Sequence, residues 1–176
     1  MERRFAIKQI MILAGGLALL PSCLREAGKA SIVLKNLDVD LDDEKLLGEI
    51  AETMIPKTTT PGAKELNLHL FVLKMVDDCE EEKDQQLFLK GLTAFKDFSK
   101  DKFSKPFADL QAAQRKELLL AIEKDEEQSD ELKGFYKIMK NRTVQGYLNS
   151  KYVMTNLNIY ELVPGRYNGY FPVKSA

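Results

Sequence analysis

The spacing of apolar residues divides the chain into one short continuous apolar run, five stretches of helical period and a closing segment without period. The run at residues 10–20 is too short to span a bilayer, which takes about 20 apolar residues. Gly15 and Gly16 weaken it further as a helix. Residues 23–41 read as a tether, in which "SIVLKNLDVDL" alternates enough to allow a short edge strand. "LDDEKLLGEIAETMIP" predicts the first helix, with Leu46, Leu47, Ile50 and Met54 at helical spacing and Pro56 as its stop. Asp42 is placed to cap it, Asp43 and Glu44 suit its positive end, and Leu41 can staple onto Leu46.

"KTTTPGAKEL" is a turn-rich connection, with Pro61 suited to a first turn behind Thr60 and Gly62 to a tight bend. Residues 68–82 form an amphipathic helix with Leu68, Phe71, Val72, Met75, Val76 and Cys79 on its buried face. Lys74, Asp77, Asp78 and Glu81 fall on the opposite, polar face. A third helix covers residues 84–102, with Phe88, Leu92, Phe95 and Phe98 inward and Gly91 marking a close helix approach. A fourth begins at Pro106 and turns Leu118, Leu119 and Ile122 inward. A fifth covers residues 131–151 with Phe135, Met139, Thr143 and Tyr147 about a turn apart. Between these two, "DEEQSDE" reads as a solvated joint. "YVMTNLNIYELVPGRYNGYFPVKSA" has Pro164, Gly165, Gly169, Pro172 and four tyrosines, and no helical period. The expected architecture is all-α: a single domain of about five helices at 42–152 and an extended, turn-rich C-terminal arm at 153–176. No repeat of solenoid length is visible.

The opening residues change the picture. Arg3, Arg4 and Lys8 precede the apolar run, and small or bend-forming residues follow it, which is the layout of a cleavable export signal at 1–22. "RRFAIK" resembles the twin-arginine pattern R-R-x-F-L-K, with Ala6 and Ile7 at the Phe and Leu positions. A chance arginine pair ahead of an ordinary secretory signal is the rival reading, and the spacing of Lys8 favours the twin-arginine one. "LPSC" resembles a lipobox ending at Cys23, with Pro21 as a departure; cleavage by an ordinary signal peptidase is the alternative. Either way the expected location is outside the cytoplasm, and acylation of Cys23 would hold a periplasmic protein on a membrane surface.

Without residues 1–22, 23 basic residues face 26 acidic ones, a formal charge of −3. No basic stripe remains, which sets nucleic acid aside. If Cys23 is acylated, Cys79 has no disulfide partner and reads as a small buried thiol. One histidine and two cysteines carry no zinc, haem or iron–sulfur spacing. No dinucleotide fingerprint, P-loop or nucleophile elbow occurs. His69 could act as a base only with an orienting partner, so a structural or surface role outweighs catalysis. The site assignment is therefore catalytic none, cofactor none and metal none. Partner binding is assigned instead to the arm, at Tyr160, Pro164, Arg166, Tyr167, Tyr170 and Phe171. Tyrosines dominate interface anchors, and the Gly and Pro content of "PGRYNGYFP" resists burial as regular structure. For Tyr160, packing on its own domain is the reading placed ahead of partner contact.

"IAETMIPKTTTPGAKELNLHLFVLKMVDDC", "FLKGLTAF", "TVQGYLNS" and "PGRYNGYFP" together resemble the gluconate 2-dehydrogenase subunit 3 family. Tyr170 stands where that family often has a cysteine. The resemblance implies a small helical exported subunit of a membrane-associated sugar or sugar-acid dehydrogenase. Its large partner would be an FAD flavoprotein of the glucose–methanol–choline type, and a cytochrome often completes the complex. In related enzymes the small subunit carries the folded flavoprotein through the twin-arginine pore. A free-standing envelope lipoprotein without a dehydrogenase is the rival from another class.

Overall fold

The computed structural model of the chain describes residues 28–124, 128–158, 165, 169 and 170. Their architecture is all-α: α1 (Leu41–Met54), α2 (Leu68–Cys79), α3 (Glu82–Phe103), α4 (Ala112–Lys124) and α5 (Asp130–Leu148). No helix among the described residues is long and apolar enough to cross a membrane.

Helix ends follow local chemistry, in two places differently from the expectation. The cap of α1 is Asp40, not Asp42: its extended backbone lets its carboxylate accept from the Asp43 N–H at 2.7 Å. Asp42 instead lies within the first turn and pairs with Lys45. Pro61 sits in the connection ahead of α2, which starts after Asn67 in the left-handed conformation, φ 53°. Ser104, φ 54°, ends α3 behind Lys100 and Lys102, whose charges suit its negative end. Ser129, inside the acidic joint, caps α5 by accepting from the Leu132 N–H at 3.2 Å.

The stretch predicted as one helix from Pro106 is broken. Phe107–Asp109 form a 3-10 turn, and α4 begins only at Ala112. Arg115 explains the break: its guanidinium donates to the carbonyls of Ala108 (2.5 Å) and Leu110 (3.0 Å), which a continuous helix would have used itself. Phe107 is thereby turned into the core, edge-on to Phe95 at 5.1 Å.

The core is built on α3 against α5. Phe88 and Phe95 pack on Phe135 with ring centroids 5.1 and 5.6 Å apart. Each fully buried aromatic contributes roughly 1.5–3 kcal/mol. Gly91 is the close approach the spacing predicts, since a Cβ there would overlap the Glu131 carbonyl and Phe135. Leu47 and Ile50 of α1, Val72 and Val76 of α2, and Leu118 and Ile122 of α4 close the core around this pair.

Residues 28–40 do not form an edge strand. Lys29 and Asp40 make an isolated antiparallel bridge, the Ala30 N–H donates to the Val39 carbonyl, and the Leu41 N–H donates to the Gly28 carbonyl. The segment closes on itself, buries Ala30, Leu37 and Val39, and lies on the domain as a strap. At the other end, Val153–Leu157 form a π-helical turn with Val153 buried, so the first residues of the expected arm are helical.

Candidate functional site

Arg3, Arg4, Lys8 and Cys23 lie outside the described residues, as do Tyr160, Pro164, Arg166, Tyr167 and Phe171. Of the residues assigned to partner binding, Tyr170 is described. It sits in a turn with Gly169 and is 97% exposed.

His69 stands in the first turn of α2 with its ring over Gly48 of α1, where a Cβ would lie 3.7 Å from the imidazole. It borders a cleft of about 570 Å³ lined also by Asp42, Glu44, Lys45, Glu49 and Lys64. Burial lowers its pKa below the usual histidine range; the nearby Glu44 charge opposes this and Lys64 adds to it. The imidazole is therefore held neutral. Its Nδ1 is buried without a hydrogen-bond partner among the described residues. A general base needs an orienting group at that nitrogen, and the acids around the cleft are committed elsewhere. Glu44 accepts from the Ser31 N–H, and Glu49 accepts from Arg115 and Lys64, each at 2.5 Å. Partial burial alone would raise the Glu49 pKa, but the hydrogen bonds and charges of Lys64 and Arg115 outweigh it, and the pKa is lowered. No group of three metal-ligating side chains occurs among the described residues. The cleft is a charged joint between α1, the start of α2 and the 3-10 turn at Ala108, with nothing poised for proton transfer among the described residues.

The connection "KTTTPGAKEL" is organised by Glu52 of α1. Its carboxylate accepts from the N–H groups of Lys57 (2.9 Å) and Lys64 (2.8 Å), closing the loop from both ends. Gly62 lies against that carboxylate, where a Cβ would stand 2.5 Å from Oε1. From α5, the Tyr147 hydroxyl reaches Thr60 Oγ1 at 3.4 Å, and Gly146 lets the Phe71 ring approach. The Thr-rich turn is thus a backbone-held feature between α1, α2 and α5.

A second clamp overturns the face assigned to α2. Asp77, placed on the polar face by spacing, is 1% exposed. Its carboxylate accepts from the N–H groups of Lys35 (3.0 Å), Asn36 (2.7 Å) and Leu37 (3.1 Å) in the strap. Its own carbonyl accepts from Asn36 Nδ2 and Gln85 Nε2. Burial alone would raise the Asp77 pKa, but these backbone donors outweigh it and the pKa is lowered. The buried stripe is Leu68, Val72, Leu73, Val76 and Asp77, and Cys79 is the last residue of the helix, beyond the end of that stripe. Cys79 is exposed, not the buried thiol expected. Leu73, Val76 and Asp77 share a face at spacings of three and four, which is the one signal that could have placed Asp77 inward.

Comparison with known families adds one finding: the family model described as Gluconate 2-dehydrogenase subunit 3 matches residues 42–165, more than two thirds of the chain. No curated protein and no solved structure matches it.

Proposed function

The chain belongs to the gluconate 2-dehydrogenase subunit 3 family, and from that premise we propose that it is the non-catalytic small subunit of an exported dehydrogenase complex. The observation that carries this reading is the family match over residues 42–165, across the helices and into the C-terminal segment. In the proposal the large subunit is an FAD flavoprotein of the glucose–methanol–choline type, which folds around its cofactor before export, and a cytochrome subunit can join them. Arg3, Arg4 and Lys8 direct the pair through the twin-arginine route. Acylated Cys23 then keeps it on the periplasmic face of a membrane. Binding only the folded flavoprotein stabilises that state by mass action, so the escort also assists maturation. The chemistry itself is located in the partner.

The test is co-purification. A C-terminally tagged chain is recovered from native membranes and the eluate is scanned for flavin absorbance. A stoichiometric flavoprotein is expected, and its export should be lost when Arg3→Lys and Arg4→Lys are combined. A bait that reaches the envelope alone, with or without the arginine pair, overturns the proposal in favour of a free-standing lipoprotein.

A further inference from the structure

Three large apolar side chains that stay exposed among the described residues lie on α4 and α5: Leu120 (39% exposed), Val144 (43%) and Leu148 (54%). Leu120 and Val144 line one groove of about 210 Å³, whose floor is Met54 and Ile55 at the end of α1. Past Tyr136 and Lys140 the groove continues into a wider depression of about 470 Å³ between α4 and α5. Leu148 extends the apolar line one turn beyond Val144, toward the end of α5.

Among its described lining residues, the rim of this groove carries more lysines than carboxylates. The full chain carries a formal charge of −1, yet Lys116, Lys133, Lys137 and Lys140 border the groove and its extension against one carboxylate, Glu123. Glu123 is already occupied, accepting from Lys140 at 2.5 Å and from the Tyr136 hydroxyl at 2.9 Å. An apolar floor with surplus positive charge at its edge fits an occupant with apolar teeth and acidic flanks.

We propose that this groove is the seat for an amphipathic, acid-flanked segment of the large subunit, its apolar side chains inserting over Met54, Ile55, Leu120 and Val144. The inference rests on the proposed function and adds to it the surface that binds the partner. The recessed shape favours a polypeptide over a bilayer. A lipid surface is met by protruding apolar side chains, whereas a groove this narrow receives individual side chains, as interface pockets do. Lys116 and Lys137 make no ion pair among the described residues, so acidic flanks on the partner would meet lysines not otherwise committed.

The test uses the full tagged chain in its native cells, with a photo-crosslinking residue replacing Leu120 or Val144 and, as a control, Val33 on the strap. Crosslinks from 120 and 144, but not from 33, to a flavin-containing large subunit are the expected result. Leu120→Glu with Val144→Glu should lower the recovered large subunit by about tenfold or more, with an unchanged circular dichroism spectrum and melting curve. Lys116→Glu with Lys137→Glu alters only lysines at the rim, and should weaken recovery in a salt-dependent way. Wild-type recovery of the large subunit combined with undiminished recovery by both double variants overturns the groove assignment alone. So do crosslinks confined to lipid or to residues 159–176 of the same chain. A wild-type bait that recovers no flavoprotein removes the functional premise and the groove assignment together.

Discussion

Gly91 on α3 faces Glu131 on α5 with no room for a methyl group between them: a Cβ on Gly91 would overlap the Glu131 carbonyl oxygen and the Phe135 Cβ. Neither obstacle can turn aside, because one is backbone and the other a buried aromatic's first carbon. Gly134, on α5, faces instead the tip of Leu87, whose nearest carbon lies 2.5 Å from where a Cβ would stand. Gly91→Ala should therefore cost about 3 kcal/mol or more by forcing the helices apart, while Gly134→Ala costs about 1 kcal/mol or less as Leu87 changes rotamer. Urea unfolding of the two variants side by side measures the difference; equal losses would contradict a rigid α3–α5 contact.

The Asp77 clamp should hold the strap locally. Asp77→Asn removes the charge that three backbone N–H groups share and places an amide donor among donors. The expected loss is on the order of 3 kcal/mol. Hydrogen exchange should quicken first at residues 35–37 and spread through the strap before α3 and α5 respond. The sign of the pH effect follows from the lowered pKa. The clamp's stability is complete above the unfolded carboxylate value of about 3.9 and is lost as pH falls through the lower folded value.

His69 should make the protein less stable as pH falls from neutrality. Its folded pKa lies below the unfolded value of about 6.5, so between the two the unfolded chain binds more protons. The histidine's contribution is therefore constant above that value and declines as pH drops through and below it. The sequence holds a single histidine, so this window belongs largely to one group. His69→Phe keeps a ring over Gly48 and should flatten the slope of the urea midpoint between about pH 5.5 and 7. A slope unchanged by the substitution would show that the ring is freely hydrated.

Thr143 is fully buried, and its hydroxyl has no hydrogen-bond partner among the described residues. Thr143→Val replaces that hydroxyl by a methyl of similar shape. The melting temperature should rise, with a gain of about 1 kcal/mol, because an unsatisfied buried polar atom is removed. A lower melting temperature would indicate that the hydroxyl is satisfied by water.

Local pattern accounts for much of this protein. Phe88, Leu92 and Phe95 on α3, Leu118, Leu119 and Ile122 on α4, and Phe135 and Met139 on α5 are all buried as their spacing requires. Gly91 among aromatics was enough to indicate close helices. Periodicity succeeds there because these helices carry one dominant apolar face, and a 3.6-residue repeat states which side chains must share it. The resemblance that led to the family likewise lies in the order of short stretches along the chain.

Other features depended on groups far apart in sequence. Asp77 is buried because residues 35–37 bring their N–H groups to it, and Cys79, the last residue of α2, is exposed although its spacing matches the buried stripe. The helix expected from Pro106 is interrupted because Arg115 takes two of its carbonyls, and residues 28–40 become a strap because Glu44 and Asp77 accept their backbone donors. A linear pattern lists which residues are apolar and how they repeat. It does not contain the identity of the neighbour that will satisfy a buried carboxylate or an orphan carbonyl, and for this chain those long-range partners, not local preference, decided where its polar clamps would lie.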